Sequence, residues 1–190
     1  MRKTRVAIGA VIPMVVLGAT PALADHFGSN TGGVRLTVDK DWRVGGRDLS
    51  DTARINTNET MFTDYGPTNL NVNWTGAATT CTTTNYDLCV YDSDYGDTNW
   101  YGIYDCVGQS SGSHPNMTCT LGRVRLNQHT GPGYVAGVGI SEYNACHEVG
   151  HSIGLNHNLD QTSCVKRFID GGNAPTLSNH DVEEINAHYK

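Results

Sequence analysis

Beyond its first 24 residues, the 190-residue chain has no long apolar run, no cluster of basic residues and no closely spaced pair of cysteines. No segment there approaches the roughly 18 consecutive apolar residues of a transmembrane helix, so we expect no membrane anchor. Three of the 13 lysines and arginines are among the first five residues, and the others are scattered and outnumbered by 19 acidic residues. We therefore expect no nucleic-acid partner, because the chain has no basic cluster to neutralise phosphates.

The first 24 residues have the pattern of a secretory signal peptide. Three basic residues precede an apolar run over residues 6–18, and Ala22-Leu23-Ala24 forms an A-x-A cleavage site. We expect residues 1–24 to be removed on export and residues 25–190 to form one secreted, extracellular domain. That length is sufficient for a substantial hydrophobic core.

All six cysteines lie in the exported part of the chain. An even number of cysteines in an oxidising compartment predicts three disulfides. Zinc ligation by cysteine is the alternative, but no C-x-x-C spacing supports it. The shortest local closures pair Cys81 with Cys89, Cys106 with Cys119, and Cys146 with Cys164.

The most informative segment is residues 147–157, which has the pattern H-E-x-x-H-x-x-G-x-x-H. On an α-helix, His147 and His151 lie one turn apart on the same face, so both can bind one metal ion. A continued helix would turn His157 away, and Gly154 allows the chain to leave the helix because glycine enters the left-handed region without penalty. Three imidazoles leave the fourth position of a tetrahedral zinc ion open, as in catalytic sites.

Glu148 lies on the flank of the predicted metal site. A carboxylate there suits a general base that takes a proton from a zinc-activated water and passes it to a departing amine. The pattern therefore predicts a zinc-dependent endopeptidase. The alternative is a secreted, non-catalytic binding protein that keeps zinc for stability.

The motif resembles that of the metzincin clan of secreted zinc endopeptidases. The likeness extends over residues 122–127, the 147–157 motif and residues 177–181, and is greatest to the matrixin branch and its small bacterial relatives. It implies a zincin-like α+β domain with a twisted, mostly five-stranded sheet, an active-site helix, a C-terminal helix and a deep cleft. It assigns His147, His151 and His157 as zinc ligands, Glu148 as the general base and Gly154 as the turn.

Two positions depart from the metzincin pattern. Val165, in Ser163-Cys164-Val165, stands where metzincins have a methionine on a tight turn below the zinc ion. We expect its apolar side chain to preserve the floor of the site. The residue after the third histidine is Asn158, which matches none of the usual choices within the clan.

Alternating apolar residues predict strands early in the chain and helices around and after the motif. A weak helical pattern covers residues 51–65, and the metal geometry predicts a helix over residues 144–153. Ser178 as N-cap, with Asp181 three residues on, predicts a final helix to Tyr189. Strands are predicted at residues 34–38, 70–74, 86–91, 100–107 and 123–127.

The resemblance also suggests how substrate binds. We expect a monomer in which residues 101–106 form an edge strand that pairs with an extended protein or peptide substrate. Residues 167–170 would then line a side-chain pocket, although ordinary sheet and loop are equally good interpretations of both segments. Asp92, Asp94, Asp97 and Asn99 place oxygen ligands around a glycine and predict a loop that binds Ca²⁺. The alternative is an acidic surface turn that binds no ion.

Overall fold

The computed structural model describes residues 26–167 and 176–190. The predicted signal peptide and residues 168–170 of the predicted pocket lie outside the described residues. The helices and strands are, in chain order, β1 (Asp41–Gly46), α1 (Asp51–Glu59), a π-helix (Thr60–Tyr65), β2 (Asn71–Thr75), β3 (Leu88–Ser93), β4 (Gly102–Cys106), β5 (Ser110–Ser111), β6 (Thr118–Cys119), β7 (Gly122–Asn127), α2 (Glu142–His151) and α3 (Asn179–His188).

The main sheet has five strands in the order β2-β1-β3-β7-β4. The first four strands are parallel, and β4 joins one edge antiparallel to β7. Buried apolar residues from the sheet and from α2 form one core, in which Trp42, Val44 and Val149 are fully buried. The predicted α+β fold, with a mostly five-stranded sheet, a helix that carries the histidine motif and a C-terminal helix, is confirmed.

The strand prediction at residues 34–38 is wrong. This segment makes only a single β-bridge, between Leu36 and Thr118, whereas β1 lies between β2 and β3 in the sheet. The sequence pattern does not predict β1, because its last two residues are glycines and glycine disfavours strands. Gly46 leaves room for Trp74 and Leu49, since a Cβ there would lie 2.6 Å from an atom of each side chain.

Helix α1 continues directly into the π-helix, which packs against α2. The hydroxyl of buried Tyr65 donates a hydrogen bond of 2.7 Å to the carbonyl oxygen of Cys146. Gly150 permits the close approach, because a Cβ there would lie 3.0 Å from the Tyr65 hydroxyl and 2.9 Å from Val165. One face of α2 is therefore held by contacts close to the histidine motif.

The C-terminal helix α3 begins with the predicted capping box. Ser178 Oγ accepts a hydrogen bond from the backbone nitrogen of Asp181, and the Asp181 carboxylate accepts one from the backbone nitrogen of Ser178. At the other end of α3, the Tyr189 hydroxyl donates to the carbonyl oxygen of Ile153. This bond attaches α3 to the loop that follows α2.

The structure contains three disulfides, with the pairings expected from the sequence. Their Cα–Cα distances are 6.3, 5.9 and 6.0 Å, within the normal range for a disulfide. The Cys146–Cys164 bridge connects α2 to the turn below it. In residues 26–167 and 176–190, no helix has the length and apolar character needed to cross a bilayer.

Asp64 is an unusual buried carboxyl group on the π-helix. Its Oδ1 accepts a hydrogen bond from the backbone nitrogen of Leu177, just before α3, whereas its Oδ2 has no partner among the described residues. Burial is the main cause that raises the pKa of Asp64 to about 7, and the charges of Glu142 and Glu59 raise it further. Below about pH 7 the folded protein therefore favours the protonated form of Asp64.

We predict that Asp64→Asn reduces the loss of stability at higher pH. A pKa raised from 3.8 means that the stabilising contribution of Asp64 is complete below about pH 4 and is lost as the pH rises through about 7. Because asparagine cannot ionise, the variant should gain stability relative to the wild type over this range, by up to about 4 kcal/mol. Denaturant unfolding between pH 4 and pH 8 measures the difference.

Glu183→Gln is the matched control, because Glu183 is an exposed carboxyl group on α3. This substitution should change the free energy of unfolding only slightly, and by the same amount at both ends of the pH range. A constant difference between Asp64→Asn and wild type would show that Asp64 does not change ionisation on folding.

Candidate metal centre

Three histidines lie around one point at the C-terminal end of α2. The ring centroids of His147 and His151 are 4.7 Å apart, and each lies 4.9 Å from the ring of His157. The Nε2 atoms of His147 and His157 are 3.0 Å apart, and one ring nitrogen from each of the three residues lies within 4.8 Å of the others. This spacing fits donors to a single tetrahedral ion.

The chain turns at Gly154 to bring His157 back to the other two histidines. Helix α2 ends at His151, and Gly154 has a φ of +106°, in the region that favours glycine. A Cβ at this position would lie 2.4 Å from Leu36 and 3.1 Å from Phe27. Both the backbone conformation and the close packing therefore require glycine.

Backbone carbonyl groups orient two of the imidazoles. His147 Nδ1 lies 2.9 Å from the carbonyl oxygen of Cys164, and His151 Nδ1 lies 2.7 Å from that of Leu155. Since a carbonyl oxygen only accepts, each Nδ1 carries the proton and each Nε2 keeps its lone pair. Metal-ligating histidines normally donate their other ring nitrogen to a carbonyl or carboxylate oxygen in this way, so the donor set fits zinc.

Burial keeps these histidines neutral. It lowers the pKa of His151 to about 4 and the pKa of His147 well below its usual value, and the neighbouring imidazoles add to the effect. The pKa of His157 is also lowered, first by burial and then by the charge of Arg167. At neutral pH the three rings are therefore in the form that binds a metal ion.

Glu148 is buried between α2 and the edge strand β4, with 7% of its surface exposed. Burial raises the pKa of Glu148 to about 8, and only a backbone hydrogen bond with Tyr104 opposes this effect. Gly102 makes the space, since a Cβ there would lie 2.5 Å from Glu148 Cγ and 2.6 Å from Asn144 Nδ2. Asn144 Nδ2 donates to the carbonyl oxygen of Tyr101 and holds the start of β4 against α2.

The turn over residues 163–165 forms the floor of the site. Cys164 supplies the carbonyl oxygen for His147 and is disulfide-bonded to Cys146. Val165 is fully buried beneath α2 at Gly150, and its carbonyl oxygen accepts a hydrogen bond from the backbone nitrogen of Asn158. The position of Val165 thus agrees with an apolar floor.

A family model described as matrixin, a peptidase family, matches residues 15–190. The chain belongs to the matrixin family. A search of curated proteins gives no match to it. Family membership makes this matrixin a zinc metallopeptidase of the metzincin type, with peptides as its substrates.

A small cavity opens beside two of the histidines of this matrixin. Its volume is about 140 Å³, and His157 is the most exposed of the three histidines. One side of the histidine cluster is therefore open to small molecules. The residues that line the cavity are Asn30, Gly32, Gly33, Val34, Tyr104, His151 and His157.

The structure gives the calcium prediction no support. The Asp92 carboxylate accepts hydrogen bonds from the backbone nitrogen and hydroxyl of Ser50, and the Asp94 carboxylate bonds to the backbone nitrogen of Gly96 and to His129. Among the described residues, none of Asp92, Asp94 and Asp97 belongs to a group of three side chains close enough to share an ion. The remaining predicted ligand, Asn99, has a φ of +60° in this loop.

A second group of side chains that are close enough to hold a metal ion was not predicted from the sequence. It contains His26, His180 and Glu184, whose ligand atoms lie within 4.8 Å of one another. The one local signal is the four-residue spacing of His180 and Glu184, which places both on one face of α3. His26 has no motif around it and comes from the other end of the chain.

We predict that Gly102→Ala lowers peptide cleavage without removing zinc. The added methyl group would displace Glu148 and Asn144, and a misplacement of about 1 Å in a catalytic group can reduce the rate by about 100-fold. Cleavage kinetics and zinc content, measured on the same preparations, test this. Gly76→Ala is the control, because a Cβ there has only ordinary contacts, at 3.4 Å or more; equal activity of the two variants would contradict the prediction.

Proposed function

We propose that this matrixin is a secreted zinc endopeptidase in which His147, His151 and His157 bind zinc and Glu148 is the general base. The observation that carries the proposal is the convergence of three neutral imidazoles next to a buried carboxyl group on the same helix. Neither feature alone indicates hydrolysis. Together they combine a Lewis-acid site with a proton acceptor.

Zinc held by these histidines supplies the Lewis acidity that makes water nucleophilic near neutral pH and polarises the scissile carbonyl. Glu148 takes the proton of the attacking water and delivers it to the departing amine. Its buried environment suits both transfers, because burial raises the pKa of Glu148 from its usual acidic value to about 8, and a group with a pKa near neutral pH can both accept and donate a proton.

The edge strand β4 is the proposed substrate-binding strand. It pairs with β7 on one side and is the last strand of the described five-stranded sheet. An extended peptide added to its other side would run past Gly102 and therefore past Glu148. The further proposal of a side-chain pocket at residues 167–170 rests on the family resemblance alone.

Secretion is supported by two independent features. The N-terminal sequence predicts a signal peptide that is cleaved after Ala24, and three disulfides are typical of an oxidising compartment. We propose that residues 25–190 are exported and act extracellularly as a monomer.

The environment of Glu148 favours an enzyme over a zinc-stabilised binding protein. A structural metal site needs ligands only, and burying an additional carboxyl group costs stability. Glu148 is nevertheless buried, and the residue that packs against it is Gly102, whose lack of a side chain leaves room for the carboxyl group. The one observation that favours the binding-protein alternative is that Val165 replaces the usual methionine. The apolar side chain of Val165 nevertheless fills the space below α2.

We predict that Glu148→Ala abolishes peptide cleavage while zinc content stays unchanged. Removing a general base lowers the rate by about 100- to 10,000-fold, whereas the three imidazole donors are untouched. The measurements are turnover of a casein-type substrate and zinc per protein molecule. Glu183→Gln, at an exposed position on α3, should behave like the wild type. Full activity of Glu148→Ala would refute the assigned role.

We predict that His157→Ala loses one equivalent of zinc relative to the wild type, together with its activity. Two imidazoles hold zinc much more weakly than three. His129→Ala is the matched control, because His129 lies in a loop and contacts Asp94. Unchanged zinc content in His157→Ala would show that the third ligand is misassigned.

A further inference from the structure

The cluster of His26, His180 and Glu184 joins the N-terminal segment to α3. His26 Nε2 lies 3.2 Å from Glu184 Oε2, and His180 Nε2 lies 3.4 Å from Glu184 Oε1. Ligands of a tetrahedral zinc ion with bonds near 2.0–2.1 Å lie about 3.3 Å apart, so these separations are of the correct size. The ring centroids of His26 and His180 are 5.1 Å apart, close to the spacing at the candidate metal centre.

The His180 ring nitrogen that faces the cluster lacks a good hydrogen bond. Its Nε2 is shielded from solvent and makes no hydrogen bond within the described residues, and its contact with Glu184 Oε1, at 3.4 Å, is long for one. A buried nitrogen normally has a close partner. A metal ion between His26, His180 and Glu184 would be such a partner.

Asp181 adds a second carboxylate beside the cluster. Its Oδ1 lies 2.8 Å from His26 Nε2, whereas its Oδ2 accepts the capping hydrogen bond from Ser178. Two carboxylates and two imidazoles match the charge and the nitrogen-oxygen preference of a divalent transition metal ion. The ion would replace the proton that His26 Nε2 shares with these carboxylates.

The cluster lies just below the surface. The His180 side chain is 28% exposed and that of Glu184 is 12% exposed, although His180 Nε2 itself is shielded from solvent, and Asp181 is completely buried. An ion bound here would therefore lie beneath the His180 ring, with Asp181 behind the ligands.

We propose that His26, His180 and Glu184 form a second metal site, which binds Zn²⁺ and fastens the N-terminal segment to α3. This site is separate from the one formed by His147, His151 and His157. It does not depend on the proposed catalytic function.

An ion at this site would also support the loop that carries His157. The carbonyl oxygen of His26 accepts a hydrogen bond of 2.7 Å from the backbone nitrogen of Asn156, and the backbone nitrogen of Gly28 donates one of 2.7 Å to Gly154. The Asn156 side chain donates a third bond to the carbonyl oxygen of Gly28. Fastening residues 26–28 to α3 therefore restrains residues 154–156 directly before His157.

The test is a count of zinc ions bound to the purified protein, by equilibrium dialysis against Zn²⁺ followed by elemental analysis. The wild type and the Glu183→Gln control should bind one equivalent more than Glu184→Gln and His180→Ala. In the double variant His157→Ala/Glu184→Gln, both equivalents should be lost. Equal zinc contents in the wild type, Glu184→Gln and His180→Ala would overturn the proposal.

This design distinguishes the second site from the proposed catalytic centre. If the catalytic assignment fails, His157→Ala keeps its zinc but Glu184→Gln still loses one equivalent. Thermal unfolding separates a metal site from an ion pair, because loss of a metal ligand reduces the zinc-induced rise in Tm. An unchanged rise in Glu184→Gln, with a lower Tm in the absence of zinc, would assign the cluster to an ion pair only.

Discussion

The candidate metal centre depends on one constraint, which is that three imidazoles must be neutral and aim Nε2 at the same point. Backbone carbonyl groups meet this constraint for two of them, through Cys164 for His147 and Leu155 for His151. The second carbonyl group is in position only because α2 ends at His151. Ending the helix therefore orients one ligand and, through Gly154, also brings in the third.

The segments around α2 pack closely against it. Gly102 lets the edge strand β4 pack on the Glu148 side chain, and Gly150 lets Val165 and Tyr65 pack beneath the helix. A disulfide immediately before His147 connects α2 to the floor of the site. The two glycines thus leave space for Glu148 and for the packing beneath α2. The disulfide and the close contacts beside them hold the helix in a fixed position.

Both ends of the described chain meet near this centre. The segment at His26 is hydrogen-bonded to the loop before His157 and contacts α3 through Asp181. Helix α3 is in turn attached to the residues after α2 through Tyr189. The N-terminal segment and α3 therefore support the position of the third histidine from two directions, and the proposed second metal ion would strengthen that support.

The sequence by itself determined the local features: the His147 and His151 pair, the exit at Gly154, the capping box of α3 and the fold class. The first three follow from helical spacing, glycine conformation and capping, which act over a few residues, and the fold class follows from the family resemblance. Only the tertiary structure placed β1 within the sheet, buried Asp64 and brought His26 to α3. These outcomes depend on packing between distant segments: His26 lies 155 residues from Asp181, and no local pattern records such a contact.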